Sequence, residues 1–90
     1  MNDETTNGAL RVRVLVFSIL REKMGCDALT VALDAPATGA DLLDRLERDH
    51  PALRAFRPVV RLAVNQTYAP ETTALAEGDE VALITPVSGG

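Results

Sequence analysis

The sequence predicts an α+β fold, with one main helix packed on one face of a mixed sheet of about five strands. Three observations carry that expectation. Apolar side chains alternate along residues 10–19 and again along 81–86, as they do in strands. A single segment between them, residues 39–50, carries its leucines at helical spacing. The chain has 90 residues, enough for one small domain and no second one, so the helix and the strands must bury their apolar sides against each other.

Residues 1–9 are polar and without periodicity and read as a disordered extension, so the folded domain is expected over 10–86 with a tail at 87–90. From Leu10, the residues Leu10, Val12, Val14, Val16 and Ser18 share one side, while Arg11, Arg13, Leu15, Phe17 and Ile19 share the other. The alternation gives way to apolar residues on both sides, which predicts a central strand covered on both faces in its second half. Arg21 to Asp27 interrupts the pattern, with Gly25 as the bend, and Leu29, Val31 and Leu33 then alternate with Ala28, Thr30 and Ala32. The expected result is an antiparallel hairpin with a long, mobile connection, ended by Pro36.

Thr38 is a helix N-cap candidate, with Asp41 adding favourable charge to the first turn rather than a full Glu or Gln capping box. Leu42, Leu43 and Leu46 form the buried stripe, and Asp41 to Arg45 and Asp44 to Arg48 are acid-before-base pairs on the exposed side. The helix is expected to stop near His50, because Pro51 lacks an N–H and disfavours helical geometry in the residue before it. Leu53 and Phe56 suggest a short helical turn before Pro58. Val59 to Val64 reads as a third strand, Tyr68 as the start of a very short fourth, Leu75 as an isolated anchor, and Glu77 to Asp79 as a turn before the last strand.

This order, with the first and last strands parallel and adjacent at the centre, is that of a β-grasp, or ubiquitin-like, sheet. A ferredoxin-like fold needs a second helix, and the stretch from Tyr68 to Asp79 is too polar to supply it.

Composition narrows the function. A net charge of −4 disfavours a phosphate-tracking surface for nucleic acid. Arg11, Arg13, Arg21, Lys23, Arg54, Arg57 and Arg61 lie outside the main helix and acidic residues dominate elsewhere, a split that either orients a protein partner or forms a scattered solvated surface. One cysteine, Cys26, and one histidine, His50, exclude a disulfide framework and a multi-ligand zinc site. No metal is expected, no apolar run is long enough to span a membrane, and no secretory signal is seen, so the expected location is cytoplasmic. Gly-rich phosphate loops and nucleophile motifs are also missing.

After the last strand come Pro86, Val87, Ser88, Gly89 and Gly90. Two glycines without Cβ atoms suit a tail that threads a narrow channel and presents its α-carboxylate to another protein's active site. A frayed chain end reads the same from these residues alone. Together with VRVLVFSILRE at 12–22, AVNQT at 63–67 and EGDEVALITPVSGG at 77–90, however, the ending resembles the sulfur-carrier family that includes the small subunits of molybdopterin synthase. The resemblance covers residues 10–90 and is most specific over the last fourteen. Thr85 stands where the family often has a first proline and Ile84 where it often has an aromatic, which implies altered partner fit rather than lost function.

The resemblance implies a non-catalytic, sulfur-donating subunit with no permanently bound cofactor. A ubiquitin-activating-like adenylyltransferase would use ATP to adenylate the Gly90 carboxylate, a sulfur donor protein would convert the acyl adenylate to a thiocarboxylate, and Gly89 and Gly90 would carry it into the large subunit of the synthase. There the sulfur would go to cyclic pyranopterin monophosphate to form the dithiolene of molybdopterin, in a heterotetramer of two small and two large subunits. Phe17, Arg21, Tyr68, Leu83, Ile84, Pro86, Val87 and Ser88 are the expected partner contacts. For Phe17 and Leu83 a core position is the alternative, and for Arg21 an ordinary solvated arginine. A related carrier of thiamine biosynthesis, a ubiquitin-type protein modifier and a plain interaction domain are the competing functions.

Overall fold

The computed structural model describes residues 8–86. Val87, Ser88, Gly89 and Gly90, and residues 1–7 of the expected extension, lie outside them. Strand β1 (Ala9–Val16) is followed by helix α1 (Ser18–Met24), β2 (Ala28–Asp34), helix α2 (Gly39–Asp49) and a 3₁₀ turn (Pro51–Phe56); β3 (Arg61–Val64), β4 (Thr67–Ala69) and β5 (Glu80–Ile84) complete the fold. The sheet order is β2-β1-β5-β3-β4. β1 and β5 run parallel, with Val14 opposite Val81 and Val16 opposite Leu83, and the other neighbours are antiparallel. This is the expected β-grasp arrangement, with β5 at the centre.

One sheet face makes the core. Val12, Val14, Val16, Val81, Leu83 and Leu62 from the strands meet Leu42 and Leu46 of α2, Leu20 of α1 and Leu53 of the 3₁₀ turn. Fully burying one such aliphatic side chain is worth about 1.5–3 kcal/mol. The stripe of α2 is therefore what holds the helix on the sheet.

The segment after β1 departs from expectation. The strand ends at Val16, and residues 18–24 are a helix rather than a strand end and loop. Phe17 stays extended, Ser18 turns the chain at φ 51°, and Leu20 and Met24, four apart, turn inward. Gly25 ends the helix at φ 76°, a left-handed conformation that glycine adopts without a Cβ penalty, and its N–H donates to the Arg21 carbonyl. Nor is β1 covered on both faces: Arg11 and Arg13 are exposed and Leu15 is half-buried.

The N-terminus of α2 is more tightly fixed than the sequence suggested. Thr38 Oγ1 accepts from the Asp41 N–H while an Asp41 carboxylate oxygen accepts from the Thr38 N–H, so the short aspartate completes a reciprocal capping box. The next two amides, of Gly39 and Ala40, donate to the carbonyls of Thr73 and Glu71 at 3.0 and 2.9 Å. That contact orders the polar connection between β4 and β5, which Leu75 anchors in the core. The expected Asp41–Arg45 and Asp44–Arg48 pairs are replaced: Arg45 bonds Asp49, and Asp44 faces Arg57. The third strand is also shorter than expected, because Val59 follows the 3₁₀ turn and is exposed.

Candidate functional site: the open sheet face

Strand alternation places one set of side chains on the helix side and the other on a face that no element covers among the described residues. Register fixes the second set. Ala28 of β2, Leu15 of β1, Ala82 of β5, Ala63 of β3 and Tyr68 of β4 stand opposite one another in a row across the sheet. Beyond it, toward the C-terminal end of β5, Ile84 pairs with Arg61. Phe17 follows Val16, which pairs with Leu83, so it lies beside Ile84. The row is apolar and, apart from Tyr68, made of modest side chains. Phe17 and Tyr68 are 48% and 68% exposed.

An open groove of about 520 Å³ adjoins this patch, lined by Arg61, Leu62, Tyr68, Ala69, Pro70 and Pro86. Pro86 is exposed and is the last described residue. The groove thus lies where the chain leaves β5 for Val87 to Gly90.

Of the expected partner contacts, Phe17, Tyr68, Ile84 and Pro86 are brought to this end of one face. Arg21 lies on α1, exposed and with no ion pair among the described residues. Leu83 is corrected: it has no exposed area and belongs to the core, because it is out of phase with Ile84 along β5. Val87, Ser88, Gly89 and Gly90 lie outside the described residues. Sequence reasoning missed Leu15, Ala63, Ala82 and Arg61, and the phase of the strands was the signal that could have found them.

The charged rim has several structural ties. Arg11 bonds Glu77 through its backbone N–H at 2.7 Å and its guanidinium at 3.1 Å, and the backbone bond, helped by the guanidinium, holds the Glu77 carboxyl below its usual range. The AVNQT segment is a joint: Asn65 and Gln66 take the positive φ values of a tight hairpin turn. The Asn65 side chain donates to Asp79 and accepts from the Glu80 N–H, both at 3.0 Å, pinning the start of β5.

Elsewhere, His50 caps the end of α2, and Cys26 is half-buried against the core. No cluster of potential metal ligands exists among the described residues. Nor, among them, is any helix long and apolar enough to cross a membrane.

The ThiS family model matches residues 14–90. The molybdopterin synthase sulfur carrier subunit of Mycobacterium tuberculosis is 40% identical over 84 residues, covering 90% of this chain and 99% of its own. Among solved structures, the small archaeal modifier protein 1 of Haloferax volcanii superposes with a TM-score of 0.80 at 31% identity, over 87% of this chain and 99% of its own. A complex of subunits 1 and 2 of the molybdopterin-converting factor of Helicobacter pylori contains a chain with a TM-score of 0.65 at 23% identity, over 90% of this chain and all of its own.

Proposed function

The chain belongs to the ThiS family, and we propose that within it the protein is the sulfur-carrier small subunit of molybdopterin synthase, with the Gly90 carboxylate as its reactive group. One observation carries the reading furthest: an apolar face lies open at the end of the central strand from which the Gly-Gly tail departs. A tail of small residues gives little affinity by itself. A patch of Phe17, Tyr68 and Ile84 supplies the buried centre that an interface requires.

The chemistry follows from the weakness of a carboxylate oxygen as a leaving group. An adenylyltransferase joins the Gly90 carboxylate to the α-phosphate of ATP and releases pyrophosphate. A persulfide on the sulfur donor protein then attacks the acyl carbon as AMP departs, and a second thiol cleaves the S–S bond of the acyl disulfide, forming a disulfide with the donor cysteine and freeing the thiocarboxylate. The resulting thiocarboxylate sulfur is a better nucleophile than the oxygen it replaces and bonds to carbon of cyclic pyranopterin monophosphate as an oxygen substituent leaves that carbon; hydrolysis of the acyl–sulfur bond by water then returns the Gly90 carboxylate and leaves sulfur on the pterin. A dithiolene needs two sulfurs, which suits a heterotetramer of two carriers and two large subunits. A small chain with one exposed attachment surface delivers the sulfur, and the large subunit provides the pocket. The Helicobacter pylori complex of two subunits supports pairing with a large subunit. A single free cysteine suits the reducing cytoplasm as the place of reaction.

Incubation with the activating enzyme, ATP and a sulfur donor should exchange one oxygen for sulfur at Gly90, read as intact mass and by fragmentation of the C-terminal peptide. Ile84→Asp should keep the fold and weaken binding to the large subunit by about 1–3 kcal/mol, the scale of burying an unpaired polar group. A tail that takes up no sulfur, or unchanged affinity of the Ile84 variant, would count against the proposal. The likeness to small archaeal modifier protein 1 favours one second reading, a protein modifier. That reading requires isopeptide conjugates through Gly90 in the cell, and their absence alongside thiocarboxylate would dismiss it.

A further inference from the structure

Arg61 is a cation set into the apolar end of the open face. It pairs with Ile84 across β3 and β5 and lines the groove with Tyr68, Pro70 and Pro86. A nearby arginine, Arg57, is held by Asp44, Glu47 and Glu71. By contrast, Arg61 makes no ion pair among the described residues, and its guanidinium reaches only the Val60 carbonyl, at 3.3 Å. A guanidinium has five N–H donors in a planar fork, so most of its capacity faces outward.

An unpaired arginine in a surface that becomes buried is costly unless the partner answers it, since desolvating a lone charge far outweighs the burial of neighbouring apolar area. We propose that Arg61 is a specificity determinant of the carrier: it requires a carboxylate side chain on the large subunit, seated in the groove between Tyr68 and Pro86. The proposal rests on the sulfur-carrier reading and adds to it the chemistry of the partner's surface. The apolar patch supplies the affinity, and the carboxylate selects which large subunit is accepted. A partner with an apolar or basic residue at that point would leave Arg61 buried and unanswered, which is how an interface rejects a near-match.

The test is a titration of the folded chain with the large subunit from the same organism, comparing wild type, Arg61→Leu, Arg61→Glu and Ile84→Asp at low and high salt. Thermal melting first establishes that each variant is folded, as expected for an exposed side chain. Arg61→Leu should weaken binding by roughly a hundredfold, within the range of losing one partner of a desolvated charge pair, and Arg61→Glu by more. The difference between them should shrink as salt rises. Exchanging one partner carboxylate for lysine should restore the Arg61→Glu complex.

Normal affinity of Arg61→Glu while Ile84→Asp fails would overturn the proposal and leave the face as an interface. Equal, salt-independent losses in Arg61→Leu and Arg61→Glu would assign the residue to packing. Tighter binding after removal of Gly89 and Gly90, or self-association of the wild type lost in Arg61→Glu, would identify the chain's own tail or a second copy as the occupant. No complex with the wild-type chain would overturn the carrier reading together with the proposal.

Discussion

A methyl group on Gly39 would fall inside van der Waals contact of Leu62 Cδ1 and press on the Glu71 carbonyl oxygen at 3.2 Å. Helix propensity pulls the other way, since alanine is better than glycine in a helix interior by about 0.8–1 kcal/mol. At the first helical position that gain is smaller, and overpacking costs about 1–3 kcal/mol where neighbours cannot move. Both Leu62, which is buried, and the Glu71 backbone, which caps the helix, are such neighbours. Gly39→Ala is therefore expected to lose about 1 kcal/mol in denaturant unfolding; a stabilised variant would show that the connection gives way. Glu77 makes a pH-dependent contribution. Its folded carboxyl sits below the ordinary value of 4.5, held there first by the Arg11 N–H. A depressed value gives stability that is present above the unfolded value and lost as pH falls through the folded one. Glu77→Gln should thus be less stable than wild type at neutral pH, with the two converging in acid. The gap should be small and narrow further in salt, because the pair is exposed.

Arg57 links three elements. From the end of the 3₁₀ turn it reaches Asp44 and Glu47 on α2 and Glu71 in the connection before β5. Hydrogen bonds to Glu71 and Glu47 hold its guanidinium still more firmly protonated than an ordinary arginine, so its own charge does not limit the link. Arg57→Ala should loosen the connection more than the core. Hydrogen exchange at the Gly39, Ala40 and Leu75 amides, which bond across it, should speed up well before the β1 and β5 amides do. Uniform acceleration would mean that Arg57 supports the whole fold instead. None of this link was legible in the sequence, because its partners are brought together only by tertiary packing. The strands and α2 were legible because alternation, leucine spacing and the Thr38 to Pro51 punctuation are local signals. The short α1 was not: Leu20 and Met24 give one apolar pair at helical spacing among polar neighbours, too little to outweigh the strand pattern running into Ile19. The candidate site was half legible. Phe17, Tyr68 and Ile84 share a face, but Leu83, for which the sequence allows either a contact or a core position, points the opposite way from its neighbour Ile84 into the core.

At the scale of the molecule, the carrier separates what holds the fold from what reacts. The described core is complete by Leu83, and the central strand ends at Ile84. Residues 87–90 lie beyond both, so a change confined to the last glycine is expected to leave the melting temperature where it was. Its effect on sulfur delivery should be close to total. In the proposed mechanism the face seats the carrier on its partner at a fixed place, and Gly90 must then reach a fixed point in the partner's pocket. Removing Gly90 or adding one residue after it displaces the reacting carbonyl by about 3.3–3.8 Å along an extended chain. Misplacement by about 1 Å can cost a hundredfold in rate, and a shift several times larger leaves no near-attack geometry. Binding, which the proposal assigns to the patch around Ile84, should change far less than turnover. Cys26→Ala should change neither if, as proposed, the transferable sulfur sits on the terminal acyl carbon and not on the thiol. Product formation with purified large subunit, precursor and charged carrier of each form measures this separation. Normal turnover by the lengthened or shortened chain, or loss of transferable sulfur on removing Cys26 alone, would refute the terminal thiocarboxylate.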